Sequence, residues 1–326
     1  MRVFINGFGR IGRSVLRAWA LGGQASNGWP EIEIVGINDI AAPEMCAYLF
    51  EYDSVFGVYP AGVSLEPGAL VVDGRAIPLH RAPDLSTKDL RNVDLVMECT
   101  GRGDVFARGL AAGAGRVLVS GPLADAEFTV VLGANEAGLR DQRVVSNASC
   151  TTNALAPLVA LIDREWGLVT GSMTTIHCYT GSQPTVDAPA ADFSRSRAAA
   201  LSMVPTTTSA QRLLDLVLPQ LAGRIEASAV RVPVASVSAV DLAVVVDRVP
   251  EAAAVNAVFR GAGGVIGATD RALVSSDLRS RGESIVMACP ETRVTRGGLL
   301  RVFGWYDNEW GFSNRMLDVA RLMGQT

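Results

Sequence analysis

Cys150 stands in the run Ser146-Asn147-Ala148-Ser149-Cys150-Thr151-Thr152-Asn153. An apolar segment, Arg143-Val144-Val145, precedes it. Leu155, Leu158, Val159 and Ile162 follow at i, i+3, i+4 and i+7, the spacing of one helix face. The thiol is therefore expected at or near a helix N-terminus, where unpaired N–H groups and the helix dipole favour an anion. A thiolate there is a nucleophile. His177 lies 27 residues further on, in the strand-like Ser172-Met173-Thr174-Thr175-Ile176-His177-Cys178-Tyr179-Thr180. One helix and a return strand can bring the two together. An imidazole beside Cys150 is expected to depress the thiol pKa and to take the proton from an attacked aldehyde's hydroxyl. Taken alone, His177 reads equally as a buried strand histidine with a satisfied hydrogen bond.

A second constellation opens the chain. Gly7-Phe8-Gly9-Arg10-Ile11-Gly12 is a G-x-G-x-x-G between a short apolar strand and a helix-like segment. In such a motif the first glycine makes the tight turn and the second lets a pyrophosphate approach the backbone. The third lets helix and strand pack, and the helix N-terminus faces the phosphates. With 33 glycines in the chain, the pattern alone reads equally as an ordinary turn. Asp39 strengthens the dinucleotide reading, because it ends the next strand, where a carboxylate can bind ribose hydroxyls and disfavour a 2′-phosphate. Its distance beyond Gly12 exceeds the usual ~20 residues, and an insertion at 22–29 accounts for the excess. Thr100, Gly101 and Ser120 follow later strands, at the ends where such sheets bind ligands. A thiol nucleophile and a NAD site together point to aldehyde oxidation through a thioester.

These groups need a scaffold. The chain has 326 residues, long for one hydrophobic core, so two domains are expected. The first half alternates strands and helices: helices over 11–21, 43–52 and 105–112, and strands over 3–5, 32–37, 94–99, 117–119 and 130–132. Asp73-Gly74 reads as a hairpin turn between 70–72 and 76–78. Alternation of this kind predicts a Rossmann-type α/β domain with a mostly parallel sheet. After Cys150 the strands lengthen, over 172–179, 227–232, 237–246 and 299–305. They predict an α+β catalytic domain with a mixed, largely antiparallel sheet. Residues 181–208 read as a long ordered loop of functional type, and 308–323 as a closing helix. The expected boundaries are 1–149 with 309–326 for the dinucleotide domain, and 150–308 for the catalytic one.

The composition narrows the function. Hydrophobic residues make up 49% and charged residues 19%, which supports a large core rather than disorder. A net charge of −4 without a basic run gives nucleic-acid binding no electrostatic support. No apolar stretch reaches the ~20 residues of a membrane helix. The opening segment is too short in its apolar part for a signal peptide. Five cysteines without paired spacing read as reduced thiols in a cytoplasmic protein. Two histidines leave no His-rich metal site, and no metal is expected. Cys46, Cys99 and Cys289 read as packed hydrophobes, Cys178 as facing away from Cys150, and His80 as structural.

The chain resembles one family over nearly its whole length, phosphorylating glyceraldehyde-3-phosphate dehydrogenase. Ile5 to Arg13, Asn38-Asp39, Tyr52-Asp53-Ser54-Val55, Glu98-Cys99-Thr100-Gly101, Ser146 to Asn153 and His177 carry the likeness. So do Tyr179-Thr180-Gly181, Arg197 to Ala200, Pro205 to Thr208, Arg231-Val232-Pro233 and Trp305 to Arg315. The resemblance implies a homotetramer binding NAD, with Cys150 as nucleophile and His177 as base. It implies contacts to the cofactor from Gly7, Gly9, Arg10, Ile11, Gly12, Asp39, Thr100, Gly101 and Ser120, with Asn308 on the nicotinamide carboxamide. Thr180 and Arg231, with Arg195 nearby, would hold the phosphate of glyceraldehyde 3-phosphate. Ser149, Thr151, Thr208 and Arg231 would hold inorganic phosphate. The product would be 1,3-bisphosphoglycerate.

Several positions depart from the family's commonest pattern. Ala154 replaces a second cysteine, Ser182 and Pro184 replace Asp and Arg, and Val234 replaces Thr. Ala188 leaves some NADP use open. Two rivals remain at this level: erythrose-4-phosphate dehydrogenase, a sister family, and a non-catalytic NAD-binding regulator on the same fold. The triose-type residues at 179–181 and 205–208 favour the glyceraldehyde-3-phosphate reading over both.

Overall fold

The computed structural model describes residues 1–22, 28–190 and 192–326. Most of the expected insertion at 22–29, and position 191 of the long loop, lie outside the described residues. The chain divides into two compact units. One comprises residues 1–130, 136–148 and 312–326, the other residues 131–135 and 149–311.

In the first unit nine strands form one sheet among the described residues. The order runs Phe128–Thr129, Val144–Ser146, Arg116–Val119, Leu95–Glu98, Arg2–Asn6, Glu33–Asn38, Arg75–His80, Ala69–Val72, Val63–Glu66. Pairing is parallel from the first of these through Arg75–His80 and antiparallel in the last two steps. The central strand Leu95–Glu98 is buried throughout, and Arg2–Asn6 and Glu33–Asn38 over most of their length. That is why their sequences read as unbroken apolar runs. Asp73 and Gly74 both take positive φ, 53° and 76°. They form the tight turn that pairs Val72 with Arg75.

The apolar run at 130–132 is not a strand. Only Phe128–Thr129 pairs, with Val145 and Ser146. Val131 then gives its N–H to the Asn135 side chain at 2.8 Å, while its carbonyl accepts from Ala134 and Asn135. A side-chain-closed turn replaces the ladder, and burial explains the apolar residues.

In the second unit the sheet order is Val204–Thr206, Ile225–Val232, Leu168–Cys178, Ser238–Val246, Leu300–Tyr306, Ile285–Ala288, Ile266–Thr269, with Arg293–Val294 also on Leu300–Tyr306. Pairing is mixed. Leu168–Cys178 runs parallel to Ile225–Val232 and antiparallel to Ser238–Val246. The expected long loop carries the short strand Val204–Thr206 within it. The helix Cys150–Trp166 is buried on most of its surface, with Leu155, Leu158, Val159 and Ile162 fully so. The closing helix, Trp310–Met323, starts where Asp307 accepts the N–H groups of Glu309 and Trp310.

Candidate active site

Cys150 is the first residue of its helix. Ser149 is the N-cap, and its Oγ accepts the N–H of Thr152 at 3.1 Å. Ala148, just before the cap, takes φ of 52°. That left-handed conformation is strained for alanine and turns the chain sharply from strand into helix. The sequence run around Cys150 thus builds an elbow with Cys150 at the helix N-terminus.

His177 comes from the strand Leu168–Cys178, and its Nε2 lies 3.7 Å from Cys150 Sγ. The other ring nitrogen, Nδ1, lies 2.6 Å from the Cys178 carbonyl oxygen. A carbonyl has no proton, so a contact that short assigns the proton to Nδ1. Nε2 therefore carries the lone pair that faces the sulfur. The parallel register sets His177 beside Arg231. The Arg231 Nη1 donates to the same Cys178 carbonyl at 2.9 Å; with the proton on Nδ1, its 2.9 Å approach to that nitrogen is a contact between two donors and not a hydrogen bond.

The electrostatics differ from the expectation of a depressed thiol pKa. Burial pushes the Cys150 thiol up, and hydrogen bonds from Thr151 and the Arg231 charge offset this only in part. Burial, and then Arg231, push His177 down to about 4. Both effects penalise charge in a covered site. Both shifts favour the uncharged forms of the thiol and the imidazole.

Tyr306 was not singled out by sequence reasoning as a site residue. It is buried, and its hydroxyl meets Thr151 Oγ1 at 2.9 Å and Thr175 Oγ1 at 2.8 Å. Its ring stands edge-on to His177 with centroids 6.1 Å apart. It ties the first turn of the Cys150 helix to the His177 strand. Nothing in the pattern of an apolar strand end marks such a bridge.

The expected phosphate residues divide into two groups. Arg231 and Thr151 touch residues of the thiol–imidazole pair or its support. The Arg195 Nε donates to Thr206 Oγ1 at 2.6 Å, and the Val204–Thr206 strand pairs with 229–231. Thr208 accepts the N–H of Ala210, and Thr180 shares a hydrogen bond with Ser182. These hydrogen bonds of Thr180, Arg195 and Thr208 go to residues other than Cys150.

In the first unit, Gly7 takes φ of 92°, and a Cβ there would lie 2.5 Å from the Thr100 nitrogen. A Cβ on Gly12 would meet the Gly7 carbonyl oxygen at 2.1 Å. One on Gly9 would meet nothing within 4 Å. Gly7 and Gly12 are therefore required by the protein's own packing, whereas the freedom at Gly9 is left for a ligand. Gly9 also precedes the helix Arg10–Ala20, which has neither a capping side chain nor an acid in its first turn. Its N–H groups suit a pyrophosphate. A cleft of about 270 Å³ is lined by Gly7, Gly9, Asp39 and Thr100 among others. Arg10, Ile11, Gly12, Gly101 and Ser120 do not line it. The Arg10 guanidinium is paired with Asp53. Asp39 accepts the Phe8 N–H at 2.6 Å, which fixes the acid against the glycine loop. Beneath the cleft, buried Glu98 accepts from Asn6 and from Thr100. These residues fit a dinucleotide.

Comparison with known proteins agrees. The family description "Glyceraldehyde 3-phosphate dehydrogenase, NAD binding domain" matches residues 1–104, and "Glyceraldehyde 3-phosphate dehydrogenase, C-terminal domain" matches 149–308. The glyceraldehyde-3-phosphate dehydrogenase of Xanthobacter flavus is 44% identical, covering 100% of this chain and 99% of its own. That of Pseudomonas aeruginosa is 46% identical over 98% of this chain and 97% of its own. Glyceraldehyde-3-phosphate dehydrogenase 1 of Bacillus subtilis is 40% identical over 98% and 97%.

The chain belongs to the glyceraldehyde-3-phosphate dehydrogenase family. Cys150 lies inside the matched C-terminal domain and Gly7, Asp39 and Thr100 inside the matched NAD-binding domain. Within this glyceraldehyde-3-phosphate dehydrogenase fold no helix among the described residues is long and apolar enough to cross a membrane. No cluster of metal-ligating side chains occurs among them either.

Proposed function

We propose that Cys150 and His177 carry the reaction of an NAD-dependent glyceraldehyde-3-phosphate dehydrogenase, and that the reaction is phosphorylating. The observation that supports it is the 3.7 Å approach of Cys150 Sγ to the lone-pair nitrogen of His177. As the sulfur attacks the aldehyde carbon, His177 takes the thiol proton and passes it to the carbonyl oxygen, which becomes a hydroxyl. The new C–S bond gives a thiohemiacetal on Cys150. His177, free again after proton release, removes the hydroxyl proton as the carbon loses hydride. Bound NAD supplies the hydride acceptor. The carbon is now a thioester. Inorganic phosphate attacks it, the C–S bond breaks, and the acyl phosphate leaves with Cys150 restored. The balance is aldehyde, NAD and phosphate in; acyl phosphate, NADH and a proton out.

Arg231 holds phosphate charge beside the imidazole, with Thr180 and Arg195 on the substrate's own phosphate and Ser149 and Thr208 on the inorganic one. Thr151, in the first turn of the helix, serves through its N–H and through its hydroxyl, which also meets Tyr306. Asp39 selects NAD, and Asn308 holds the carboxamide. Exposed Val186, Phe193, Leu201 and Met203 along one loop support assembly into a homotetramer. Five free cysteines fit a reducing cytoplasm.

The test is NADH formation with glyceraldehyde 3-phosphate and NAD, with and without phosphate. Without phosphate, one NADH per site should form rapidly and turnover should then stall at the thioester. Continued full-rate turnover would show hydrolysis instead. A higher kcat/KM for erythrose 4-phosphate would transfer the assignment to the tetrose reaction.

A further inference from the structure

Three strand ends converge behind Asn308. Cys178 closes the strand Leu168–Cys178, Ser238 opens the strand Ser238–Val246, and Asn308 follows the strand Leu300–Tyr306 by two residues. The antiparallel ladder between the first two strands ends at Ile176 and Ala239. Beyond it, Ser238 Oγ accepts the Cys178 N–H at 3.1 Å in place of a backbone carbonyl. The Cys178 thiol donates to Asn308 Oδ1 at 3.1 Å. Ser238 Oγ lies 3.5 Å from the same oxygen and has its own proton to give. All three residues are buried.

We propose that Cys178 is a positioning residue: its thiol, with Ser238, locks the side-chain amide of Asn308 so that the NH₂ edge is presented to the nicotinamide carboxamide. The inference rests on the reading of Asn308 as the carboxamide ligand. In the arrangement observed the atom between them is Oδ1, with the thiol and the hydroxyl as its donors. The opposite edge, the NH₂, remains as the donor for a carbonyl. Burial keeps the thiol protonated by pushing its pKa up to about 12. The lock therefore holds at every pH where the protein works. Sequence reasoning set Cys178 apart from the site because alternate strand residues face opposite ways. Its side chain does point away from Cys150's partner, and it acts on the site through Asn308.

The test uses Cys178→Ala and Cys178→Ser in the full chain, with NAD and with 3-acetylpyridine adenine dinucleotide. The analogue keeps the ring carbonyl and lacks the amino group. When the Asn308 amide is free to turn, NAD can still pair by donating its own NH₂ to Oδ1, whereas the analogue cannot. In C178A the KM for NAD should rise five- to tenfold and the preference for NAD over the analogue should widen several-fold. The KM for glyceraldehyde 3-phosphate should stay unchanged. C178S, which restores a donor, should return both cofactor readouts to within about twofold of wild type. If C178A does not fold, C178V fills the volume without a donor and reads the same quantities. An unchanged NAD-to-analogue ratio would overturn the proposal, as would parallel rises in both KM values. Asn308→Ala separates the two ideas. If it leaves the KM for NAD unchanged, the carboxamide reading falls and this one with it. If it raises that KM while C178A moves no ratio, only the role of Cys178 falls.

Discussion

Cys150 Sγ faces His177 Nε2 at 3.7 Å because the other nitrogen of the ring is pinned to the Cys178 carbonyl at 2.6 Å. The carbonyl fixes both the tautomer and the ring orientation, so the base needs no rearrangement before it takes a proton. His177→Asn should keep the fold and NAD binding but lower kcat by about 10²–10⁴-fold, the usual share of general base catalysis. Rapid-quench measurement of the first NADH turnover checks this. A wild-type first turnover would remove His177 from the chemistry.

The position of the imidazole in a covered site beside Arg231 has a consequence for pH. His177 in the native chain titrates at about 4, below the ordinary 6.5. Between those values the unfolded chain binds a proton that the native site refuses. This contribution to stability is fully present above 6.5 and is lost as pH falls toward 4. At roughly 1.4 kcal/mol per unit it is of order 3 kcal/mol. Asp307 acts in the opposite sense, because burial raises its carboxyl to about 6; its contribution is lost as pH rises through that value. The difference between wild type and H177N therefore isolates the histidine. Urea unfolding at several pH values should show wild type losing stability relative to H177N as pH drops from 6.5 to 4. The acid limb of kcat/KM should lie near 4, and a limb near 6.5 would contradict the neutral, desolvated imidazole.

Tyr306 links the helix that carries Cys150 to the strand that carries His177. Its hydroxyl has Thr151 on one side and Thr175 on the other, and no water-exposed alternative. Tyr306→Phe leaves two buried threonine hydroxyls short of a partner, at a cost of about 1–3 kcal/mol. Chemical denaturation should read that loss as a lower midpoint at unchanged slope. The KM for NAD should move little, whereas kcat should fall, because the cysteine and histidine lose a shared support. Equal loss in both parameters would mean that the tyrosine acts on the fold alone.

Both folds of the chain were legible where local sequence and tertiary environment agree. The run Leu95-Val96-Met97 is apolar because both sheet faces are covered, and Asp73-Gly74 turns because both residues accept positive φ. The same apolar signal misled at 130–132, where burial without a ladder looks identical in sequence. Cys150 was legible through its helix, and His177 through spacing, since one helix and one strand return the chain. Tyr306 and Cys178 were not. Their roles depend on which side chain lies across a sheet in register, and register is set by long-range pairing that no local pattern records. The sign of the Cys150 shift escaped for a related reason: the helix N-terminus is visible in sequence, but the burial that outweighs it is not.

Two glycines of one motif should fail differently when substituted by alanine. At Gly12 the added Cβ would sit 2.1 Å from the Gly7 carbonyl oxygen, backbone that cannot give way without opening the turn between strand and helix. Gly12→Ala should therefore lower the melting temperature and weaken NAD binding together. At Gly9 the Cβ meets no protein atom within 4 Å, and the backbone there has a negative φ of −72° with ψ of −158°, at the edge of the extended region and outside the left-handed one. Gly9→Ala should keep the melting temperature within a degree or so in the absence of cofactor, since surface changes of this kind are worth about 0.5 kcal/mol or less. Its dissociation constant for NAD should rise at least about tenfold, because the methyl group occupies the path of the pyrophosphate to the helix N–H groups. Calorimetric titration with NAD, beside thermal unfolding of both variants, reads the two effects separately. Tight NAD binding by a well-folded G9A protein would place the pyrophosphate elsewhere than over this turn.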